Sequence, residues 1–109
     1  MSVDIRAIVQ QVQEGDREAF TEIIREYQAR LRMLMRVLLW DPSAVDDVTQ
    51  EVFVTAYVRI DTYDPTQGEF YGWLKGIARN LAINENRKRK RRSESAEDYL
   101  AEIKAEQER

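Results

Sequence analysis

The 109-residue sequence contains no cysteine and no histidine. The missing cysteines exclude disulfides, thiolate zinc sites and a thiol nucleophile. The missing histidines remove the commonest metal ligand and the commonest general base at neutral pH. No apolar run approaches the ~20 residues that a membrane span needs, and the N-terminus lacks the pattern of a signal peptide. These absences predict a cytoplasmic protein that is not an enzyme, carries no metal or cofactor and does not bind membranes.

Charge is nearly balanced overall but strongly segregated along the chain. The formal net charge is −3. Residues 41–69 carry seven acidic side chains and one basic one, whereas residues 70–92 carry eight basic side chains and one acidic one. Residues 93–109 again hold six acidic side chains against two basic ones. An acidic block followed by a basic block indicates two different partner surfaces on one small domain.

Hydrophobic periodicity predicts four helices and no strand. Apolar residues recur at spacings of three and four within residues 3–12, 17–39, 43–60 and from 69 into the basic block. Segment 61–68, DTYDPTQG, lacks this periodicity and contains Asp-Pro and glycine, so we expect a loop. Residues 93–109 are polar and acidic, which predicts a flexible tail. The expected fold is all-α, a compact bundle of about four helices whose last helix has a basic C-terminal end.

A first candidate site lies on the third predicted helix. Positions 46 and 50, like 47 and 51, are one turn apart, so their side chains line the face opposite the valines. Phe53 is offset from the valine stripe by about 100° and is expected to be partly exposed. The face can be an ordinary solvated helix surface or a docking surface for a basic protein helix; acid–base chemistry lacks a histidine or a second carboxylate cluster. Its members are Asp46, Asp47, Gln50, Glu51 and Phe53.

Four aromatic residues surround the predicted loop and the start of the fourth helix: Tyr63, Phe70, Tyr71 and Trp73. The helical period places Phe70 and Trp73 on one face, so core packing is the default explanation for at least two of the four. Aromatic rings beside a flexible loop and a cationic helix also suit stacking on unpaired bases. Both interpretations stay open on the residues alone.

The fourth predicted helix ends in six consecutive basic residues at 87–92. Arginine and lysine reach phosphates, while asparagine can pair with adenine through two hydrogen bonds. A solubilising tail is the alternative, although six like charges in a row favour a polyanionic partner. The candidate nucleic-acid residues of the aromatic and basic groups are Tyr63, Phe70, Tyr71, Trp73, Lys75, Arg79, Asn80, Asn84, Arg87 and Lys88.

The order of these features resembles the bacterial sigma factors of the extracytoplasmic-function group. DVTQEVF at 47–53 and FYGWLKGIARN at 70–80 fit the patterns D-x-x-Q-E-x-F and W-L-x-x-I-A-x-N, and GDREAF at 15–20 precedes them. The motifs are specific in combination, and the resemblance covers residues 5–92. One departure is Gly76, where many relatives carry a larger, often basic residue.

The resemblance implies a sigma region 2 domain over residues 1–92 and an interdomain linker over 93–109, without the domain that reads the minus-thirty-five element. It implies that the acidic face docks on the clamp helices of the largest RNA polymerase subunit. It also implies that the loop with Tyr63 captures a flipped base of the minus-ten element, and that an anti-sigma factor is a further partner. The residues implied to read the non-template strand of promoter DNA are Trp73, Lys75, Arg79, Asn80 and Asn84.

Two other functions remain open at this point. A helical interaction module would bind polymerase or an anti-sigma factor without reading DNA, but it would have no need of Tyr63, Asn80 and the basic run. An enzyme that used the carboxylates of the third helix would show a metal-dependent activity lost on Asp47→Ala. The favoured prediction is recognition and melting of the minus-ten element by binding alone.

Overall fold

The computed structural model describes residues 4–108, in which four α-helices are joined by short connections and no strand occurs. The all-α class and the four helices are thereby confirmed. Val3 and Arg109, which belong to the first predicted helix and to the tail, lie outside the described residues. The helices are α1 (Ile5–Gln13), α2 (Phe20–Leu38), α3 (Val45–Arg59) and α4 (Phe70–Gln107). Single turns of 3-10 helix occupy Arg17–Ala19, Pro42–Ala44, Ile60–Thr62 and Pro65–Gln67.

Short polar motifs end and restart the helices. Between α2 and α3, the Asp41 carboxylate accepts a hydrogen bond from the Ser43 backbone N–H at 3.0 Å. Between α3 and α4, the Asp64 carboxylate accepts one from the Thr66 backbone N–H at 2.9 Å. Gly68 follows with φ of 146°, a conformation that side chains disfavour. These turns break the chain into helices that are short enough to pack side by side.

One hydrophobic core joins all four helices. Its members recur every third or fourth residue along α2, α3 and the first half of α4, as the periodicity predicts. Each fully buried large apolar side chain contributes about 1.5–3 kcal/mol relative to an exposed one. The largest fully buried side chains are Val12, Ile23, Leu31, Met35, Val52, Ile60 and Leu74.

α4 has two parts that differ in burial. In residues 70–86, the embedded segment, every fourth side chain along one face is buried: Phe70, Leu74, Ala78 and Ala82. In residues 87–107, the free segment, every residue is exposed. The free segment extends about 30 Å at the helical rise of ~1.5 Å per residue. It accounts for much of the elongated shape, whose principal extents are 69 × 26 × 23 Å.

The structure differs from the sequence-based expectation at residues 93–107, which continue α4 as a helix where a flexible tail is predicted. These residues are rich in alanine and glutamate, which are strong helix formers. Lys90 and Glu94, one turn apart, approach to 3.9 Å across the boundary between the basic and acidic blocks. Local propensity therefore extends the helix without any packing partner. Nowhere in residues 4–108 is a helix both long enough and apolar enough to span a membrane.

Candidate nucleic-acid and protein interfaces

The acidic surface on α3 consists of Asp46, Asp47, Gln50 and Glu51, and all four residues are exposed. Asp46 and Asp47 lie in the first turn, where carboxylates interact favourably with the positive end of the helix dipole. Asp46 also lies 3.1 Å from the Arg32 guanidinium of α2. Three of the four side chains thus remain available to a partner, and the surface is negative.

Phe53 does not belong to this surface. The expectation of partial exposure is wrong, because Phe53 is only 6% exposed and lies in the core. Since α3 packs against both α2 and α4, its buried sector is wider than a single valine stripe. Val54 and Val58 are instead the exposed apolar residues of α3, with exposed fractions of 58% and 72%. Both are valines outside the stripe of buried valines, so the sequence contains a sign of an exposed apolar patch that is easily mistaken for part of the core.

A groove of about 600 Å³ runs beside the acidic surface, between α2 and α3. Its rim carries Arg32, Asp46 and Gln50, so it opens next to the carboxylates. Because the groove has an apolar floor and a charged rim, it is suited to bind an apolar side chain of a docked helix. The apolar lining consists of Phe20, Ile24, Phe53, Val54 and Tyr57.

Tyr63 lies in the core rather than on the surface of the loop. It is 8% exposed, and its hydroxyl donates a hydrogen bond to the Gly68 carbonyl at 2.7 Å. Its ring meets Phe70 edge to face at 5.3 Å between centroids and lies 5.6 Å from Trp73. Burial raises the pKa of the Tyr63 hydroxyl. Of the two interpretations left open for the aromatic residues, core packing is therefore the one that the structure shows for Tyr63.

Phe70, another predicted nucleic-acid residue, is 5% exposed and shares this cluster. In the folded loop neither Tyr63 nor Phe70 offers a free ring face to a base. The two rings instead fix where the loop ends and where α4 begins. Trp73 and Tyr71 are half-buried and keep part of each ring at the surface.

The base of the loop is held by Gln13 of α1, a residue that sequence reasoning missed. The Gln13 side-chain amide donates to the Ile60 carbonyl at 2.9 Å and to the Tyr63 carbonyl at 3.0 Å. Arg17 adds an ion pair with Asp61 at 3.2 Å. These contacts join residues that are 44 to 50 positions apart in the sequence, so no local sequence pattern predicts them. The loop is thus anchored on its inner side while most of its residues stay exposed.

The exposed face of the embedded segment carries Arg79, Asn80 and Asn84, all of which are solvent-accessible as predicted. Gly72 and Gly76 are exposed as well, and a Cβ at either position would meet no heavy atom within 4 Å. Arg87 and Lys88 continue this face into the free segment. The face therefore offers amides and cations on a smooth helix surface.

The acidic surface and the basic face meet at a shallow pocket of about 250 Å³. Glu51 of α3 lines it together with Asn84, Arg87 and Lys88 of α4. The structure thus brings residues assigned to two different partners to one boundary. Within residues 4–108, no group of three or more carboxylates is arranged to hold a metal ion.

Asn86 fixes the embedded segment against α2. Its side-chain amide donates to the Leu38 carbonyl at 2.9 Å and accepts from the Trp40 backbone N–H at 3.1 Å. Arg89 then pairs with Asp41 at 2.8 Å. Hydrogen bonds from Ser43, with Arg89 as a smaller contribution, lower the pKa of the Asp41 carboxyl. These contacts set the orientation of the basic face relative to the acidic surface.

A sequence profile for the family described as Sigma-70 region 2 matches residues 23–92. The chain belongs to the sigma-70 region 2 family. The matched range holds almost all of α2, the whole of α3 and the embedded segment, which together carry both candidate surfaces. α1, with Gln13, and most of the free segment lie outside the matched range.

Individual relatives agree with this family membership. The chain is 37% identical over 90 residues to the ECF RNA polymerase sigma factor SigW of Bacillus subtilis, covering 83% of this chain and 48% of SigW. The chain spans about half the length of the curated relatives it matches.

Two solved structures share the sigma-70 region 2 fold. An NMR structure of an engineered region 2 of sigmaE in complex with GTAAAA matches with a TM-score of 0.74 and 34% identity, covering 84% of this chain and 97% of that one. The structure of CnrH in complex with the cytosolic domain of CnrY matches with a TM-score of 0.67 and 29% identity, over 75% of this chain and 53% of that one. One relative is thus seen with a nucleic acid and another with a protein.

Proposed function

We propose that this chain is the promoter-binding domain of an extracytoplasmic-function sigma factor. In this role the acidic surface of α3 docks on the clamp helices of RNA polymerase, and the exposed face of α4 binds the non-template strand of the minus-ten element. The observation that carries the proposal is the junction at Glu51 and Asn84, where the two surfaces adjoin on rigidly packed helices. A domain of this kind delivers a DNA-reading face at a fixed position relative to the polymerase.

The arrangement explains how binding alone could hold DNA open. Taking a base out of the stack costs a few kcal/mol, which an enclosing pocket can offset. The anchored loop 61–69 supplies exposed backbone and side chains for such a pocket, and Tyr63 and Phe70 shape it from inside. Cations of α4 bind phosphates and fix the register, so affinity should fall steeply with salt.

The family resemblance and the complex of sigmaE region 2 with GTAAAA support the choice of nucleic acid. The complex of CnrH with the cytosolic domain of CnrY supports a second protein partner besides polymerase, for which an anti-sigma factor is the natural candidate. The groove between α2 and α3 and the exposed Val54 and Val58 offer apolar contacts to either protein. The proposed place of action is beside polymerase in the cytoplasm.

The DNA half of the proposal is tested with single-stranded 12-mers that carry GTAAAA or one-base variants of it. Asn80→Ala should reduce discrimination at one position by about tenfold, within the ~1–3 kcal/mol of a good base contact. Arg79→Gln should weaken every 12-mer alike, because a guanidinium chiefly seeks phosphate. Fluorescence anisotropy gives the affinities. Equal weakening of all sequences by Asn80→Ala would contradict the assignment of specificity to α4.

The protein half is tested by reversing charge on the acidic surface. Asp47→Lys combined with Glu51→Lys should abolish binding to core polymerase in a pull-down, while circular dichroism stays unchanged because both sites are exposed. The matched control is Glu97→Lys with Glu102→Lys, an equal charge change in the free segment. Retained polymerase binding by the first double variant would refute the docking surface. DNA binding absent from the unmodified chain in holoenzyme would favour the interaction module instead.

A further inference from the structure

Two cations from different helices converge on the ring of Tyr71. The Arg30 guanidinium of α2 lies 4.3 Å from the ring centroid, and the Lys75 ammonium of α4 lies 5.1 Å from it. The Tyr27 ring is stacked on Tyr71 with centroids 5.1 Å apart and an interplanar angle of 8°. Arg30 is also 5.6 Å from the Tyr27 ring. A guanidinium from α2 and an ammonium from α4 therefore contact the same ring, that of Tyr71.

Arg30 lacks an acidic partner, as does Arg36, whereas two other arginines of the same helix have one. On the same helix, Arg25 pairs with Glu22 at 3.0 Å and Arg32 with Asp46 at 3.1 Å. Among the ion pairs of residues 4–108, none involves Arg30 or Lys75. Two cations that contact one ring and have no carboxylate within 4.0 Å repel each other, and an anion bound beside both of them would relieve this.

The aromatic contact also prepares Arg30 for binding. A guanidinium beside an aromatic ring is attracted electrostatically to the negative face of that ring. The contact restrains the guanidinium beside the ring, and the edge of a guanidinium carries N–H groups in a fixed planar arrangement. Such an edge matches the oxygens of a phosphate through two parallel hydrogen bonds. The contact therefore reduces the side-chain entropy that Arg30 would lose on binding a ligand.

We propose that Arg30 and Lys75 together bind one phosphate of the single strand that α4 reads, with Tyr71 as the positioning residue between them. This inference rests on the proposed function and adds a residue of α2 to the nucleic-acid interface. A phosphate fits better than a base, since Tyr27 and Arg30 already occupy much of the Tyr71 ring. Lys75 and Asn80 are five residues apart, about 7.5 Å along the helix axis and about 140° around it. The clamp would thus fix the strand at one edge of the α4 face that carries Asn80.

The test uses the same single-stranded 12-mers, each with one neutral methylphosphonate linkage at a different position. Arg30→Gln should weaken binding about eightfold at 50 mM salt and about threefold at 200 mM, as one lost phosphate contact on a single strand changes the salt slope by ~0.7. Arg25→Gln is the matched control, because it removes the same charge from the same helix at a paired site. Thermal melting followed by circular dichroism verifies that both variants are folded.

The methylphosphonate scan separates a specific clamp from general attraction. One linkage should weaken the unmodified chain and have no further effect on Arg30→Gln, and Lys75→Gln should be insensitive at that same linkage. A loss for Arg30→Gln no larger than for Arg25→Gln, or a loss spread evenly over all linkages, would overturn the clamp. In either case Asn80-dependent discrimination would persist and the proposed function would stand. If the unmodified chain in holoenzyme fails to discriminate, the proposed function fails with it.

Discussion

The embedded and free segments are parts of one continuous helix with different reasons to be helical. The embedded segment buries a side chain every fourth residue and is fastened at Asn86. The free segment buries none, and ion pairs form at its basic end, such as Arg89 with Asp41 and Lys90 with Glu94. Packing therefore stabilises the first half, while helix propensity and ion pairs at its basic end stabilise the second. The comparison teaches that helical structure in this chain does not by itself indicate a rigidly placed surface.

The largest expected effect on stability concerns the packing of Tyr63 against the start of the embedded segment. Tyr63→Ala should lower the free energy of unfolding by about 3 kcal/mol or more, because it empties a buried aromatic site next to Phe70. Tyr63→Phe keeps the ring and removes only the hydrogen bond to Gly68, so a loss of about 1 kcal/mol is expected. Urea unfolding followed by circular dichroism measures both. Unchanged stability of Tyr63→Ala would mean that the loop does not fasten α4.

A matched pair of substitutions tests the comparison directly. Ala78→Gly in the embedded segment and Ala101→Gly in the free segment carry the same helix-propensity cost of about 1 kcal/mol. Ala78 is fully buried, so its variant should lower global stability by about 1–2 kcal/mol. Ala101→Gly should reduce the ellipticity at 222 nm and leave the midpoint of unfolding unchanged. Equal shifts of the midpoint would show that the two segments unfold as one unit.

The smallest expected effect lies at the border of the two segments. The folded-state pKa of Asp41 is lowered from 3.8, first by hydrogen bonds from Ser43 and then by Arg89. A lowered carboxyl pKa adds stability above pH 3.8 that is lost as the pH falls through the folded-state value. Asp41→Asn should therefore show a smaller decrease in stability between pH 5 and pH 2 than the unmodified chain. Identical acid profiles in thermal melts would contradict a role for this carboxylate.

The sequence predicts well those features that repeat along a helix. Burial at spacings of three and four identifies α2, α3 and the embedded segment, because a helix that packs on one side must repeat its apolar residues. The same periodicity leaves Asp47, Glu51 and Asn80 on exposed faces, where the structure has them. Their assignments to polymerase and to DNA remain proposals.

Features that depend on contacts distant in sequence escape such a prediction. Tyr63 is a single buried residue in a loop, and one residue forms no pattern. Phe53 is buried because α3 has two neighbours, which only the three-dimensional arrangement reveals. Arg30 looks like any cation of a polar helix face until Tyr71 is seen beside it. The helical structure after Arg92 is missed for a different reason. The high charge of these residues suggests disorder, but their helix propensity is sufficient to continue α4.

The two hydrogen bonds from Gln13 have a consequence for how the molecule opens. α1 has nine residues, fewer than the ~12–15 that an isolated helix needs to persist in water. It is therefore stable only while docked, and docking is what brings Gln13 to the carbonyls of Ile60 and Tyr63. Detachment of α1 would break both hydrogen bonds to the start of the loop, so α1 and the loop would unfold locally as one cooperative unit. Opening of the loop that is proposed to receive a nucleotide base is thus coupled to the detachment of α1, which lies near the N-terminus.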